Sequence, residues 1–598
     1  MKLRVLFCCM FICSLAPVSG QVKSAPASTT AATEIPHLRK QGTATQLIVD
    51  GKPFLGLAGE LLNNSATSLE YMKPLWPKLA ATKFNLILAG VSWAQIEPAE
   101  GKFDFTVLDG VIRDARIHNL RLVLLWFGTW KNGLSSYPPD WVKSNFERFP
   151  RAQMVGDNTP WPVFGGPRIQ VTGPLSIELF SPFGDATRDA DARAFAALMR
   201  HVKAIDGQQH TVVGIQVENE VGFQGDTRDR SPLANKAFDG PVPKELMDYL
   251  QPRRDTLIPV LRKVWEGTGF KTSGTWEEVF GKGRATEEIF MAWYFSRYVG
   301  RVVEAGKAEY PIPMFTNCPQ EGFGRAPAPL RGGGQSGGPM PDAFDIWRAG
   351  APKVDFFAAD IYSNDFVGFC ARYVQSGNPM YIAETGGGPD LTGKALYAFG
   401  RHDAMAFSPF GIDRMVGNAT DQFGYDLVSQ LAPLILRHQG NGTMSAVLLG
   451  PNDQPQKIQV GDYTLVVTGS SRPRPAPAAG EAAGGAAGRA GRGAAGAAAG
   501  APGRGAAPSP QPATPPSAAI FIQSGPDEFY AAGSGVTIAI SPNTPGAPLV
   551  GLATVEEGKF VNGRWVAGRR IAGDDDAQGQ ALTLRSMGIQ RFTVYRYR

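Results

Sequence analysis

Histidine and cysteine are scarce in this 598-residue chain, with six of the first and five of the second. The histidines are His37, His118, His201, His210, His402 and His438. None forms His-x-His, and no Cys/His group has zinc spacing, so no metal is expected. Cys8, Cys9 and Cys13 fall within the first twenty residues. Cys318 and Cys370 remain, too few to scaffold a chain of this length; they either pair or stand as two buried thiols. Gly332-Gly333-Gly334 has no Lys-Ser/Thr behind it, so phosphate binding lacks its loop and no cofactor is expected.

Long apolar runs are also missing, except at the start. Lys2 and Arg4 precede an apolar stretch over 5–16, too short for a membrane span, and Val18-Ser19-Gly20 offers small residues before Gln21. Residues 1–20 therefore read as a secretion signal, with a secreted or periplasmic destination. No later stretch reaches eighteen apolar residues, so no integral membrane segment is expected. An excess of one charge is lacking too. The net charge is +5, but the signal carries +2 and a Gly/Ala/Pro/Arg-rich stretch over 470–516 carries +4, leaving −1 for the rest. Nucleic acid is thus a poor partner. The 470–516 stretch buries too little apolar surface to offset its ordering entropy and is expected to be disordered.

What the chain does have is alternation. Residues 21–43 are polar and expected to be flexible. From 44 to 430, apolar runs of strand length alternate with amphipathic stretches, at 54–61, 84–93, 121–130, 212–220, 313–318, 354–362, 379–384 and 404–412. Helical spacing occurs over 71–81, 106–118 and 192–205, the first behind a Thr67-x-x-Glu70 capping spacing. Eight strand–helix units predict an α/β fold, a (β/α)8 barrel with long loops. From 431 to 598 the helical period disappears. Strands are expected at 457–468, 519–523, 535–541, 559–566 and 591–597, with a tight hairpin at Asn562-Gly563, making a small all-β domain.

In such a barrel the working residues stand at the C-terminal ends of strands. Two glutamates do. Glu220 closes Gln216-Val217-Glu218-Asn219-Glu220 at the fourth strand, and Glu384 closes Met380-Tyr381-Ile382-Ala383-Glu384 at the seventh. A protonated carboxyl and a second carboxylate are the equipment for cleaving a glycosidic bond. A gap of about 5–5.5 Å would retain anomeric configuration, and roughly 6.5–9.5 Å would invert it. Glu218 is expected to share the Glu220 face and support it. Glu97, in a Glu-Pro context beyond the second strand, suits a structural bond to loop backbone.

These residues resemble the retaining (β/α)8 glycosidases. Gln216-Val217-Glu218-Asn219-Glu220 looks like the corresponding motif of glycoside hydrolase family 35, the β-galactosidases. Val91-Ser92-Trp93-Ala94-Gln95-Ile96-Glu97-Pro98 with Gly101-Lys102-Phe103-Asp104-Phe105 resembles a segment of families 35 and 42. The C-terminal β domain looks like the domain of unknown function that often follows bacterial barrels of this kind. The resemblance implies Glu220 as acid/base, Glu384 as nucleophile, Asn219 on the sugar 2-hydroxyl, and Tyr362 orienting Glu384. Ala94, Ile96, the Gly59-Glu60-Leu61-Leu62-Asn63 segment and the end of the third strand depart from the family pattern at sugar-contact regions. Glu60, Trp130 and Asn132 are the substitute contacts expected there. A carbohydrate substrate follows, with a β-galactosidase as the leading expectation. Other retaining glycosidases, or a barrel that binds carbohydrate without cleaving it, are the alternatives.

Overall fold

The computed structural model describes residues 34–154, 175–223, 226–319, 335–416, 425–469 and 517–598. The 1–20 leader, most of the 21–43 segment and the 470–516 insertion lie outside them.

Eight parallel strands close into a barrel in chain order. They are β1 (Gly56–Glu60), β2 (Leu86–Ser92), β3 (Arg121–Lys131), β4 (Val212–Asn219), β5 (Met314–Pro319), β6 (Phe356–Ile361), β7 (Ile382–Thr385) and β8 (Ala406–Phe407). Closure comes from Ala406 and Phe407 of β8 pairing with Gly56 and Leu57 of β1. The expected (β/α)8 barrel is therefore what the chain forms. The last strand is much shorter than its apolar run, because Ile412–Met415 turns helical behind a left-handed Gly411.

The major outer helices are α1 (Thr106–Ile117), α2 (Asp185–Asp206), α3 (Arg284–Glu309), α4 (Leu391–His402) and α5 (Asp426–His438). The helix expected over 71–81 is instead two short pieces, Leu69–Met72 and Trp76–Ala81. Pro74 lies between them and has no N–H to continue the ladder. The cap of the first piece is Ser68, which accepts the Tyr71 N–H at 3.3 Å, rather than Thr67.

The chain is ordered earlier than expected. His37–Gln41 pairs with Ala44–Val49, which pairs with Lys52–Phe54. Leu47 and Val49 close the floor of the barrel, in one buried cluster with Ala58, Leu88, Val123 and Phe315. The Gln41 amide donates to the Leu436 and Gln439 carbonyls, both at 3.0 Å, so this hairpin satisfies carbonyls that the end of α5 leaves open. Above the floor, Phe315, Phe356 and Tyr381 form a ring layer with centroids 4.7–5.3 Å apart.

The C-terminal region is a sandwich of a six-stranded and a four-stranded antiparallel sheet. The single strand expected over 457–468 is a hairpin, Gln456–Val460 and Tyr463–Gly469, turning at Gly461 with φ +54°. Asn562 and Gly563, at φ +50° and +73°, join Leu549–Val561 to Arg564–Ile571. The outer face of the six-stranded sheet packs on α4. Gly400 permits this approach, since a Cβ there would stand 2.7 Å from Ile520 Cγ1 and 2.8 Å from Ala446 Cβ. The boundary expected at 430/431 falls inside α5, a helix that touches both the barrel and this sheet.

Candidate active site

Side chains alternate along a strand, and Glu384 and Asn219 reach the barrel mouth where that alternation breaks. On β7, Tyr381 and Ala383 face the interior, so regular pleating would send Glu384 outward. The pairing steps from Ala359↔Ile382 to Asp360↔Glu384, which leaves Ala383 as an extra residue. Such a bulge re-aims the residue that follows. On β4, Ile215 and Val217 pack in the outer core, which would place Glu218 inside. Instead Glu218 takes φ +61° and Glu220 φ +48°. Two non-glycine residues in the left-handed region, one on either side of Asn219, concentrate backbone strain at the strand end.

Glu218 consequently does not share the face of Glu220. Its carboxylate accepts the Thr129 and Trp130 backbone N–H groups at 3.1 and 2.6 Å, beside Asp191 of α2. Burial first, then the neighbouring Asp191, holds the Glu218 pKa well above the usual carboxylate range. It is a support that ties the end of β3 to β4, as expected in role but through a different face. Asn219 is left facing the mouth. Its carbonyl accepts the Asn132 N–H, and that of Glu220 accepts the Gly133 N–H, both at 3.1 Å.

Glu384 is held on both oxygens. The Tyr362 hydroxyl donates to Oε2 at 2.7 Å and Asn219 Nδ2 donates to Oε1 at 3.3 Å. Asn219 Oδ1 accepts from Lys131 Nζ at 2.8 Å. Asn317 Nδ2 donates to Asp360 Oδ2 at 2.6 Å, while its Oδ1 accepts the Glu220 backbone N–H at 3.1 Å. One oxygen each of Glu220, Asp360 and Glu384 lies within 4.8 Å of the other two, and all three residues are buried. Glu60 is fully buried beside them, and neither of its carboxylate oxygens meets a hydrogen-bond partner among the described residues.

The electrostatics follow from this crowding. Burial, then the charge of Glu384, pushes the Glu220 carboxyl up to about 7, against the pull of Lys131 and an Asp360 hydrogen bond. Burial and the same neighbours raise Asp360 and Glu60 well above the usual range. For Lys131, burial disfavours the ammonium, but Glu384, Glu220, Glu60 and Asp360 together outweigh it and raise its pKa. The three clustered acids are close enough to share a cation, yet Lys131 already supplies positive charge there, and no metal is assigned.

Of the residues singled out in the sequence, Glu220, Glu384, Asn219, Tyr362 and Glu60 come together. Tyr362 stands at the rim, 54% exposed. Asn132 joins through its backbone. Trp130 does not join. It is fully buried, donates its indole N–H to the Phe180 carbonyl at 3.1 Å, and packs on Tyr298 and Phe295. Glu97 binds the Trp93 indole and the Gly101 N–H, at 2.8 and 2.7 Å, which is structural. Sequence reasoning misses Lys131, Asn317 and Asp360. All three stand at strand ends, and Asp360 sits two residues before Tyr362, so the strand-end rule applied to every polar residue would find them.

Residues 77–161 match the glycoside hydrolase family 42 model, described as β-galactosidase, and residues 422–583 match a domain of unknown function. Among solved structures the chain is similar to the β-galactosidase from Bacillus circulans sp. alkalophilus, at 17% identity and TM-score 0.37 over 59% of this chain and 50% of that one. It is similar to the β-galactosidase from Rahnella sp. R3, at 18% and 0.36 over 60% and 50%. It is also similar to the catalytic domain of β-amylase from Paenibacillus polymyxa, at 12% and 0.40 over 64% and 99%. The chain spans about half the length of the two β-galactosidases. No curated protein sequence matches it. The segment matched by the family 42 model holds β2 and β3 of the closed barrel, at whose mouth the carboxylates cluster.

Proposed function

We propose that the chain is a secreted, retaining, exo-acting glycoside hydrolase whose substrate is a β-galactoside from an oligo- or polysaccharide. Glu220 is its acid/base and Glu384 its nucleophile. One observation carries the reading: Glu384, held by Tyr362 and Asn219, has an oxygen within 4.8 Å of one on Glu220. That separation suits direct attack by the second carboxylate. Inversion needs room for a water between carboxyls roughly 6.5–9.5 Å apart.

The chemistry follows from the surroundings. Glu220, with its pKa pushed up to about 7, is about half protonated at neutral pH, and its protonated form gives the proton to the leaving glycosidic oxygen. Glu384 attacks the anomeric carbon and forms a glycosyl-enzyme. Glu220, now deprotonated, takes a proton from the water that releases the sugar. Asn219 faces the position of the sugar 2-hydroxyl. The two unpartnered oxygens of Glu60 hydrogen-bond hydroxyls of the same ring, which would satisfy buried polar groups that otherwise cost stability.

The test is hydrolysis of a panel of nitrophenyl glycosides by wild type, Glu220→Gln and Glu384→Gln, with the anomer of the first product read by NMR. Retention, with turnover of either variant reduced at least about 10²-fold, supports the assignment. Inversion, or variants as active as the parent, overturns it. Cleavage of another β-glycoside in preference to the galactoside would keep the chemistry and change the substrate. Export is checked by N-terminal sequencing of the mature protein, expected to begin at Gln21.

A further inference from the structure

Lys131 ends β3 inside the barrel mouth, 8% exposed, with its ammonium 5.3 Å from the centre of the Phe127 ring. Buried ammonium groups are costly unless a charge or several hydrogen bonds compensate them. The groups around it come from most of the barrel: Glu60 on β1, Asn219 and Glu220 at the end of β4, Asp360 on β6, Glu384 on β7, and Tyr137 in the loop after β3. No carboxylate oxygen among the described residues comes within 4.0 Å of Nζ; the direct bond is to Asn219 Oδ1, at 2.8 Å. Asn219 then reaches Glu384 with its other end.

An ammonium has only donors. Oδ1 must therefore face Lys131, and the Asn219 amide cannot flip without placing its NH2 group against a cation. Nδ2 is thereby committed to Glu384 and to whatever hydroxyl sits beside it. Four carboxyls share the mouth with one ammonium, and burial with mutual crowding raises the pKa of Glu60, Asp360 and Glu220.

Resting on the glycosidase reading, we propose that Lys131 is a positioning residue of this site: it fixes the direction of the Asn219 amide, holding Nδ2 toward Glu384 and the hydroxyl beside it, and stands as the counter-charge to the carboxyls around it, Glu384 among them.

The experiment is a double-mutant cycle on the full chain, with Lys131→Met, Glu384→Gln and the pair, each melted at pH 6. Lys131→Met is expected to lower the melting temperature of the parent by several degrees, and that of Glu384→Gln by less than half as much. Equal shifts in both backgrounds overturn the counter-ion role, whether or not the protein is a glycosidase. On a nitrophenyl glycoside that wild type cleaves, Lys131→Met is expected to lose kcat more than affinity. Both limbs of its pH profile should move to higher pH, because removing a positive charge makes both carboxyls harder to ionise. Lys131→Arg, which keeps the charge, should hold the limbs near their parental positions. Limbs that stay put in Lys131→Met overturn the electrostatic part. Wild type inert on every glycoside refutes the enzymatic reading, and the thermal cycle still decides the pairing.

Discussion

Gly128 on β3 and Glu218 on β4 fit together only because the glycine has no side chain. A Cβ at position 128 would stand 2.7 Å from Glu218 Oε1, 2.9 Å from Asp191 Oδ1 and 2.4 Å from the Trp126 indole nitrogen. Asp191 in turn accepts from Trp126 Nε1 at 2.8 Å and Thr129 Oγ1 at 2.7 Å. Two acids, an indole and a hydroxyl are thus packed against one bare backbone position, directly behind Asn219 and Glu220.

Gly128→Ala should accordingly damage both stability and activity. Overpacking a filled site costs about 1–3 kcal/mol, and here the displaced group is the carboxylate that sets the end of β4. A melting temperature several degrees lower, with kcat reduced in the folded fraction, is the expected result. An alanine variant with parental stability would show that Glu218 can move without consequence.

The raised pKa of Glu220 makes two pH predictions. As an acid it must be protonated, so kcat/KM should fall as pH rises through about 7. Its folded pKa lies above the ordinary 4.5, so the folded state binds more protons than the unfolded one. The stability from this group is fully present below about 4.5 and is lost as pH rises through about 7. Glu220→Gln removes that loss. Its melting temperature relative to the parent should therefore increase between pH 5 and pH 8, and a constant difference across that range would refute the shifted pKa.

Tyr362→Phe separates the same chemistry from folding. The ring is half-exposed, so losing its hydroxyl should leave the melting temperature nearly unchanged. A hydrogen bond to a charged group is worth about 1.5–3 kcal/mol, so kcat should drop roughly ten- to a hundredfold. Parental kcat in this variant would mean that Asn219 alone orients Glu384.

Glu60 presents the opposite balance. A buried carboxyl with two unsatisfied oxygens is a cost to the empty protein. Glu60→Gln should raise the melting temperature relative to the parent increasingly as pH climbs above the ordinary 4.5, because the unfolded carboxyl ionises there while burial resists ionisation of the folded one, and should raise KM for the cleaved sugar. A KM identical to the parent's would remove Glu60 from the sugar contacts.

Much of this arrangement is legible in the residues themselves. Strand-length apolar runs and the strand-end rule locate Glu220 and Glu384, because burial on both faces of a parallel barrel strand leaves a continuous apolar run that stops at the mouth. Direction is not legible. Regular alternation puts Glu218 inside and Glu384 outside, and the structure reverses both, through φ +61° at Glu218 and an extra residue at Ala383. A bulge or a left-handed residue has no reliable local signature in non-glycine sequence. Lys131 escapes notice for a related reason. Only the closed barrel shows that a lysine on β3 faces acids on β1, β6 and β7.

Trp130 makes the last test, since an aromatic ring at a strand end invites assignment to the sugar. The structure gives its ring to Tyr298 and Phe295, at 4.3 and 5.1 Å, and its N–H to Phe180. Trp130→Phe keeps an aromatic ring but leaves the Phe180 carbonyl without its donor and opens a void where the larger ring stood. Both losses fall on folding, so the melting temperature should drop by several degrees. The backbone N–H of residue 130 still reaches Glu218, so the mouth keeps its shape. KM for the cleaved glycoside should then stay within about twofold of the parent, a difference of under about half a kcal/mol. A raised KM at unchanged stability would return Trp130 to the substrate, because the ring would have to leave its place against Tyr298 and Phe295 of α3 at no cost to folding.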